Sequence, residues 1–268
     1  MLRITALLEN TSTDARLDAH AGLSLLLDDG ETSLLFDTSA DDTYIRNAQA
    51  LGISLAEIDA VVLSHGHYDH FGGLTRTARH HLPSPLTVIA HPHIFEPRRA
   101  ALWLGGYPLK FKRLSPPFCE ETLRAQYQFV LAEKPHAISS RFLFAGEITQ
   151  RAVIRRYGVL LNSGEADYVR DDSFLIWRGD DGIVIITGCS HAGIESVIQH
   201  ARKLTDNAPV QAVVGGLHLR RATPAALRRA QQAIDPETQV FGCHCTGSRG
   251  RKALKAKNFN TGQQLTFL

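Results

Sequence analysis

Residues 65 to 70 read His65-Gly66-His67-Tyr68-Asp69-His70, which puts three imidazoles and a carboxylate in a single short stretch. Imidazole and carboxylate together suit zinc, iron or manganese. In an extended loop alternate side chains point the same way, so His65 and His67 can grip one ion. Asp69 and His70 can then turn toward a second. Gly66 permits backbone geometry that a side chain would obstruct. The bland alternative is a set of polar residues on a wet loop. The density of ligand types, directly after the apolar run 58–63, argues against it.

One loop cannot close two metal sites, so further ligands are expected at similar strand ends. Gly188-Cys189-Ser190-His191 follows the most apolar run of the chain, 183–187. Gly242-Cys243-His244-Cys245 follows a short apolar run near the end. His191 and His244 are the expected closing ligands, with capping or packing histidines as the alternative. Cys189 is read as a small buried residue, and thiolate ligation is its alternative role. His218, in Gly-Gly-Leu-His-Leu, is expected to bind substrate or act as an acid. His91 and His93 follow another strand end and are weaker candidates. His20, His80, His81, His136 and His200 are expected at the surface or at helix ends. Cys243-x-Cys245 has no second cysteine pair with which to build a zinc knuckle. No Gly-x-Ser-x-Gly elbow and no phosphate-binding loop is present.

The elements that must position these groups alternate between strand and helix. Strands are expected at 2–8, 23–27, 33–36, 58–63, 86–90, 141–145, 158–161, 173–177, 183–187 and 210–214, with a short one at 240–241. Asp28-Asp29-Gly30-Glu31 signals a hairpin between the second and third. Helices are expected at 41–51, from Gly72-Gly73 through Leu74 and Ala78, at 193–204, and at 224–234 behind the cap pair Thr223-Pro224. Residues 94–140 differ in texture, with several prolines, Trp103, Gly105-Gly106 and the basic residues Arg98, Arg99, Lys110, Lys112 and Arg113. They are read as a lid or insertion within a single domain spanning 1–268, a surface helical excursion being the alternative.

The whole chain bounds the function classes. Its 268 residues are 44% hydrophobic and 21% charged, enough for a sizeable core and against wholesale disorder. A formal net charge of +2 gives no ground for nucleic acid or a membrane as partner. The start is too short and too broken for a signal peptide, and no apolar run approaches a membrane span. Four cysteines do not make a disulfide framework, so a reduced, cytoplasmic protein is expected.

His65-x-His67-x-Asp69-His70, after a strand and before Gly72-Gly73, resembles the signature of the metallo-β-lactamase superfamily. That resemblance implies an α/β fold, the four-layer αββα sandwich. Within the superfamily, Phe-Ala-Gly-Glu147-Ile, Asp171-Asp172-Ser-Phe, Thr-Gly-Cys189-Ser-His191-Ala-Gly-Ile, Gly-Gly-Leu-His218-Leu and His244-Cys-Thr-Gly look like the 7,8-dihydropterin-6-yl-methyl-4-(β-D-ribofuranosyl)-aminobenzene-5′-phosphate synthase-like group. The resemblance implies one or two divalent ions, zinc first, with manganese or iron as alternatives. His65, His67 and His191 would hold one ion; Asp69, His70 and His244 would hold the other. Asp69 would also be catalytic, orienting a metal-bound hydroxide. Asp37, in Leu-Phe-Asp-Thr, looks like the family's aspartate that buttresses the metal loop. His218 and the basic residues of 94–113 would contact substrate.

The sequence departs from the common hydrolase pattern at Gly-Glu147-Ile, in place of Gly-His-Thr. It departs again at Gly-Cys189-Ser-His191, in place of a bridging aspartate. Glu147 and Cys189 are therefore either supporting residues or further ligands. The implied function is metal-dependent hydrolysis or group transfer on a small anionic substrate, phosphate-bearing or pterin-like. The group's name also implies displacement of pyrophosphate. The alternatives are a metal-dependent nuclease or phosphodiesterase, and a non-catalytic metal-binding sensor. A homodimer is compatible with each.

Overall fold

The structure is a computed structural model that describes residues 1–75 and 78–268. Its first half is built from β1 (Leu2–Leu8), β2 (Ser24–Asp28), β3 (Ser33–Phe36), α1 (Thr43–Ala50), β4 (Ala60–Val62), α2 (Tyr68–Phe71) and β5 (Thr87–Ala90). The hairpin expected at Asp28-Asp29-Gly30-Glu31 joins β2 to β3, with Leu26 opposite Leu35. From β3 onward the neighbouring strands β4 and β5 run parallel, so their carboxyl ends reach the same edge.

The expected helix behind Gly72-Gly73 is corrected. The turn falls before these glycines, on α2, and residues 76–77 lie outside the described residues. His67 is extended, with φ −78° and ψ 145°, and the turn starts directly after it. The N–H groups of His70 and Phe71 both donate to the His67 carbonyl. The ligand-rich loop thus doubles back on itself, and among the described residues a 3₁₀ turn at Ala78–His80 follows.

Residues 94–140 contribute to all three sheets. β6 (Arg98–Leu104) and β7 (Tyr107–Arg113) form a hairpin, α3 (Glu120–Arg124) follows, β8 (Gln128–Leu131) pairs with β5, and β9 (His136–Ala137) joins the second large sheet. The remaining strands are β10 (Phe142–Phe144), β11 (Gly158–Leu160), β12 (Ala166–Asp167), β13 (Phe174–Arg178) and β14 (Ile183–Thr187). They lead to α4 (Ile194–Leu204), β15 (Val210–Gly215), α5 (Pro224–Ala233), β16 (Gln239–Gly242), α6 (Gly247–Leu254) and β17 (Gln264–Phe267). Thr223 caps α5 by accepting from the Ala226 N–H at 3.2 Å.

Strand order in the first large sheet is β17-β1-β2-β3-β4-β5-β8, and in the second β16-β15-β14-β13-β10-β9. A smaller sheet, β12-β11-β6-β7, carries the hairpin. Alternation along each strand decides the layers. Leu34, Phe36 and Val62 of one sheet meet Trp177, Val184 and Ile186 of the other in a shared core. Leu35, Val61 and Leu63 face the opposite way, toward α1. Ile183, Ile185 and Val213 pack under α4 and α5. Helix, sheet, sheet and helix therefore stack as an αββα sandwich. Burial at these strands stabilises the fold by about 25 cal/mol per Å² of apolar surface removed from water.

Candidate metal centre

In the second sheet β14, β15 and β16 are also parallel. Loops leaving the carboxyl ends of β3, β4, β14, β15 and β16 converge at one rim of the sandwich, the place where open α/β sheets bind ligands. These loops deliver Asp37, His65–His70, Cys189–His191, His218 and His244. Four of the residues have left-handed backbones without being glycine: Asp37 (φ 58°), Ser190 (φ 54°), His218 (φ 48°) and His244 (φ 47°). Such conformations cost of order 1–3 kcal/mol each and cluster at functional sites.

Asp37 organises the loop after β4. It is fully buried, and Oδ1 accepts the Ser64 N–H at 2.7 Å. Oδ2 accepts the Ser64 hydroxyl at 2.7 Å and His70 Nδ1–H at 2.6 Å. Since Ser64 Oγ donates to Asp37, it is left to accept from His65 Nδ1 at 2.9 Å. Both imidazoles therefore turn Nε2 toward the centre. The loop is held from the other side by Asp171, whose Oδ2 accepts the Gly66 N–H at 2.7 Å and whose Oδ1 accepts from Arg98 at 2.8 Å. A Cβ on Gly66 would lie 2.3 Å from the Ile94 carbonyl oxygen, so no other residue fits. Gly188 meets the same constraint, since a Cβ there would lie 2.0 Å from Ser64 Oγ.

The predicted ligands come together. His65 Nε2 lies 3.0 Å from His67 Nδ1, and the His191 ring is 4.8 Å from both His65 and His67 by centroid. His70 Nε2 lies 3.2 Å from His244 Nε2, and Asp69 Oδ2 lies 3.8 Å from the same His244 atom. Asn10 Oδ1 accepts from His244 Nδ1 at 2.9 Å, fixing that ring. Ligand atoms of His65, Cys189 and His191 lie within 4.8 Å of one another, as do those of His70, Cys189 and His244, and those of Cys189, His218 and Cys245. Glu147 lies apart, bonded to Arg170 at 3.1 Å and 3.5 Å from His91 Nε2.

Burial pushes His65, His67 and His191 well below the ordinary imidazole range, with the neighbouring imidazoles adding to the effect. Burial also lowers His244. For His70 burial opposes the charge, but the Asp37 carboxylate overcomes it and raises the pKa to about 9. Burial and Cys245 push the Cys189 thiol up. Cys245 is lowered despite its burial, because it accepts hydrogen bonds from Cys189 and His218. Several buried ring nitrogens have no hydrogen-bond partner: His67 Nε2, both nitrogens of His191, and His218 Nδ1. Buried polar atoms are rarely left unpaired. Ligand atoms of His65, Cys189 and His191, and of His70, Cys189 and His244, lie close together, and burial disfavours protonation of His65 and His191. This is the donor chemistry of a divalent-metal site, and the residues present fit such an ion.

The centre opens into a cavity of about 520 Å³ lined by Tyr68, Lys112, Arg155, Tyr157, Arg220 and Arg221 together with His67, Asp69, His191 and His244. Of the basic residues expected near substrate in 94–113, Lys112 reaches the cavity, donating to Tyr68 Oη at 2.6 Å. Arg98 is instead buried against Asp171. Tyr157 donates to the His191 carbonyl at 2.8 Å and stacks edge-on against His191 and His218. Sequence reasoning passed over Arg155, Tyr157, Arg220 and Arg221, and weighed Cys245 only as part of a zinc knuckle. Arg220-Arg221 directly follow the His218 motif and carry a signal of their own. Arg155 and Tyr157 lie in an irregular stretch with none.

The family model described as metallo-beta-lactamase superfamily matches residues 17–137. The fold agrees with a solved structure described as Tm1679, a metal-dependent hydrolase of the beta-lactamase superfamily. The TM-score is 0.83 with 25% identity, over 100% of this chain and 99% of that one. Residues 17–137 thus match the metallo-β-lactamase superfamily model, and the whole chain shares the fold of a solved hydrolase described as belonging to that superfamily. Two proteins of Methanocaldococcus jannaschii are similar to it along most of their length. An uncharacterized protein, MJ0448, is 28% identical over 95% of this chain and 94% of its own. The other, named 7,8-dihydropterin-6-methyl-4-(beta-D-ribofuranosyl)-aminobenzene-5'-phosphate synthase, is 28% identical over 84% of this chain and 81% of its own. Among the described residues no helix is long and apolar enough to cross a membrane.

Proposed function

We propose that this protein is a metal-dependent hydrolase or transferase acting on a small anionic substrate, phosphate-bearing or pterin-like. One observation carries the reading: buried imidazoles with unpartnered ring nitrogens line a cavity rimmed by Lys112, Arg155, Arg220 and Arg221. The name of the synthase relative supports the pterin- and phosphate-bearing class.

His65, His67 and His191 would hold one divalent ion, and Asp69, His70 and His244 the other. Zinc suits this donor set, as do manganese and iron. Such ions supply a water acidic enough to attack at neutral pH and positive charge beside a leaving oxygen. The chain's own residues do the rest. Asp37 and Asn10 keep His70 and His244 in the tautomers that present Nε2. Asp69, at the cavity wall, would orient the attacking water. His218 would contact the substrate beside Tyr157, and the basic rim would bind its phosphate.

The test is twofold. Metal content of the purified protein is measured, and then turnover of bis(p-nitrophenyl) phosphate, with pyrophosphate release followed for the transfer reaction. His67→Ala is expected to lose bound metal and to lower turnover by roughly 10²-fold or more. A His67→Ala protein that keeps both its metal and its activity would sink the reading.

A further inference from the structure

Cys189 occupies a position that the hydrolytic reading leaves unused. Its Sγ belongs both to the group made with His65 and His191 and to the group made with His70 and His244. No other described residue belongs to both of these groups. Sγ lies 3.3 Å from His70 Nε2, in a side chain that is buried.

The carboxylates nearby are committed elsewhere. Both oxygens of Asp37 accept hydrogen bonds from Ser64 and His70. Asp69 stands at the cavity wall, with Oδ2 3.8 Å from His244 Nε2. Glu147 is bound to Arg170. Asp172 accepts the Ala192 N–H through Oδ2 at 2.8 Å and belongs to neither ligand group. The atom placed between the two ligand groups that can carry a negative charge is the Cys189 sulfur.

We infer that the Cys189 thiolate bridges the two metal ions, in the place where many hydrolases of this superfamily carry a bridging aspartate. This inference rests on the two-ion reading above. The dimensions allow it, since a zinc–sulfur bond of about 2.3 Å on each side of one sulfur can span the roughly 3.5–4 Å between ions of a two-metal site. Metal loading deprotonates the thiol, and the proton leaves to solvent. Cys245 is a partner of this sulfur and not a substitute for it. Its own Sγ accepts the His218 N–H at 3.2 Å and joins neither of the two groups. A thiolate bridge also sets metal preference. It favours zinc, cobalt(II) or iron(II) over magnesium or manganese, which prefer oxygen donors.

X-ray absorption at the zinc edge of the loaded wild-type protein tests the bridge without any substitution. One bridging cysteine gives an average of one sulfur per zinc at full occupancy. Half a sulfur per zinc means a terminal ligand, and none means no ligation; either result overturns the inference. Cobalt(II) substitution supplies a second readout. Wild type and Cys245→Ser are expected to show a near-ultraviolet sulfur-to-cobalt band and magnetic coupling between the two ions. Cys189→Ser, with folding checked by circular dichroism, should lose both, and Cys189→Asp should restore the coupling without the band. A band that survives in Cys189→Ser contradicts the assignment. A folded wild-type protein that takes up no metal fails differently, because it removes the metal centre itself.

Discussion

His70 and Asp37 form a fully buried contact at 2.6 Å, and it shapes how the metal-free protein responds to pH. His70 is raised to about 9 when folded, against 6.5 for a free imidazole. Its pairing with Asp37 therefore stabilises the fold fully below about 6.5 and is lost as pH rises through about 9. His65, His67 and His191 act in the opposite sense. Their pKa values are depressed, so their contribution is present above 6.5 and is lost as pH falls. The thermal midpoint of the metal-free protein is expected to peak between these limits. Asp37→Asn should remove the alkaline decline and leave the acid limb in place. Scanning calorimetry across pH checks this, and a wild-type midpoint that stays level through pH 9 contradicts the role given to His70.

At the scale of elements, the loop after β4 works because it passes under its neighbours without a side chain at residue 66. Gly66→Ala forces the new Cβ against the Ile94 carbonyl and pulls the backbone from Asp171. Overpacking of this kind costs typically 1–3 kcal/mol. The variant is expected to unfold at lower urea concentration and to lose metal together with activity. Thr223→Ala is the matched control. Loss of that cap should destabilise α5 by about 1 kcal/mol while metal content and turnover stay at wild-type level. Equal metal loss in both variants would mean that the loop has no special role beyond global stability.

At the scale of the molecule, the sandwich brings basic residues from distant stretches onto one cavity: Lys112 from β7, Arg155 from the loop before β11, and Arg220 and Arg221 from the loop after β15. Hydrogen bonds to charged groups contribute about 1.5–3 kcal/mol. Arg220→Ala and Arg221→Ala are each expected to raise KM for an anionic substrate about tenfold or more with little change in kcat, since they serve binding and not the chemical step. Inhibition by inorganic phosphate should weaken in parallel, and wild-type KM should rise with salt. Steady-state kinetics with a phosphate ester and with an uncharged ester separate this from a general loss of structure. An equal rise in KM for both esters refutes an electrostatic rim.

The local pattern by itself determined eleven of the strands, though not β6 to β9 within 94–140 or β12, together with the β2–β3 hairpin, the cap at Thr223 and the ligand-rich stretch from His65 to His70, because periodicity and turn chemistry act within a few residues. It also marked Asp37, His191, His218 and His244 one by one, each at a strand end. It misplaced the short helix at Gly72-Gly73. Glycine suggested a turn there, while the doubling-back that forms α2 depends on where His67 and His70 must point. It gave no sign of α6 or β17, whose polar stretches gain their order from docking onto α5 and β1. Only the tertiary structure decided which marked residues meet. Glu147, named beside Cys189 as a departure from the usual pattern, lies apart with Arg170, whereas Cys189 lies between two ligand groups. Parallel strands carry loops far apart in sequence to one rim, and distances across that rim are fixed by sheet packing, which no run of neighbouring residues records.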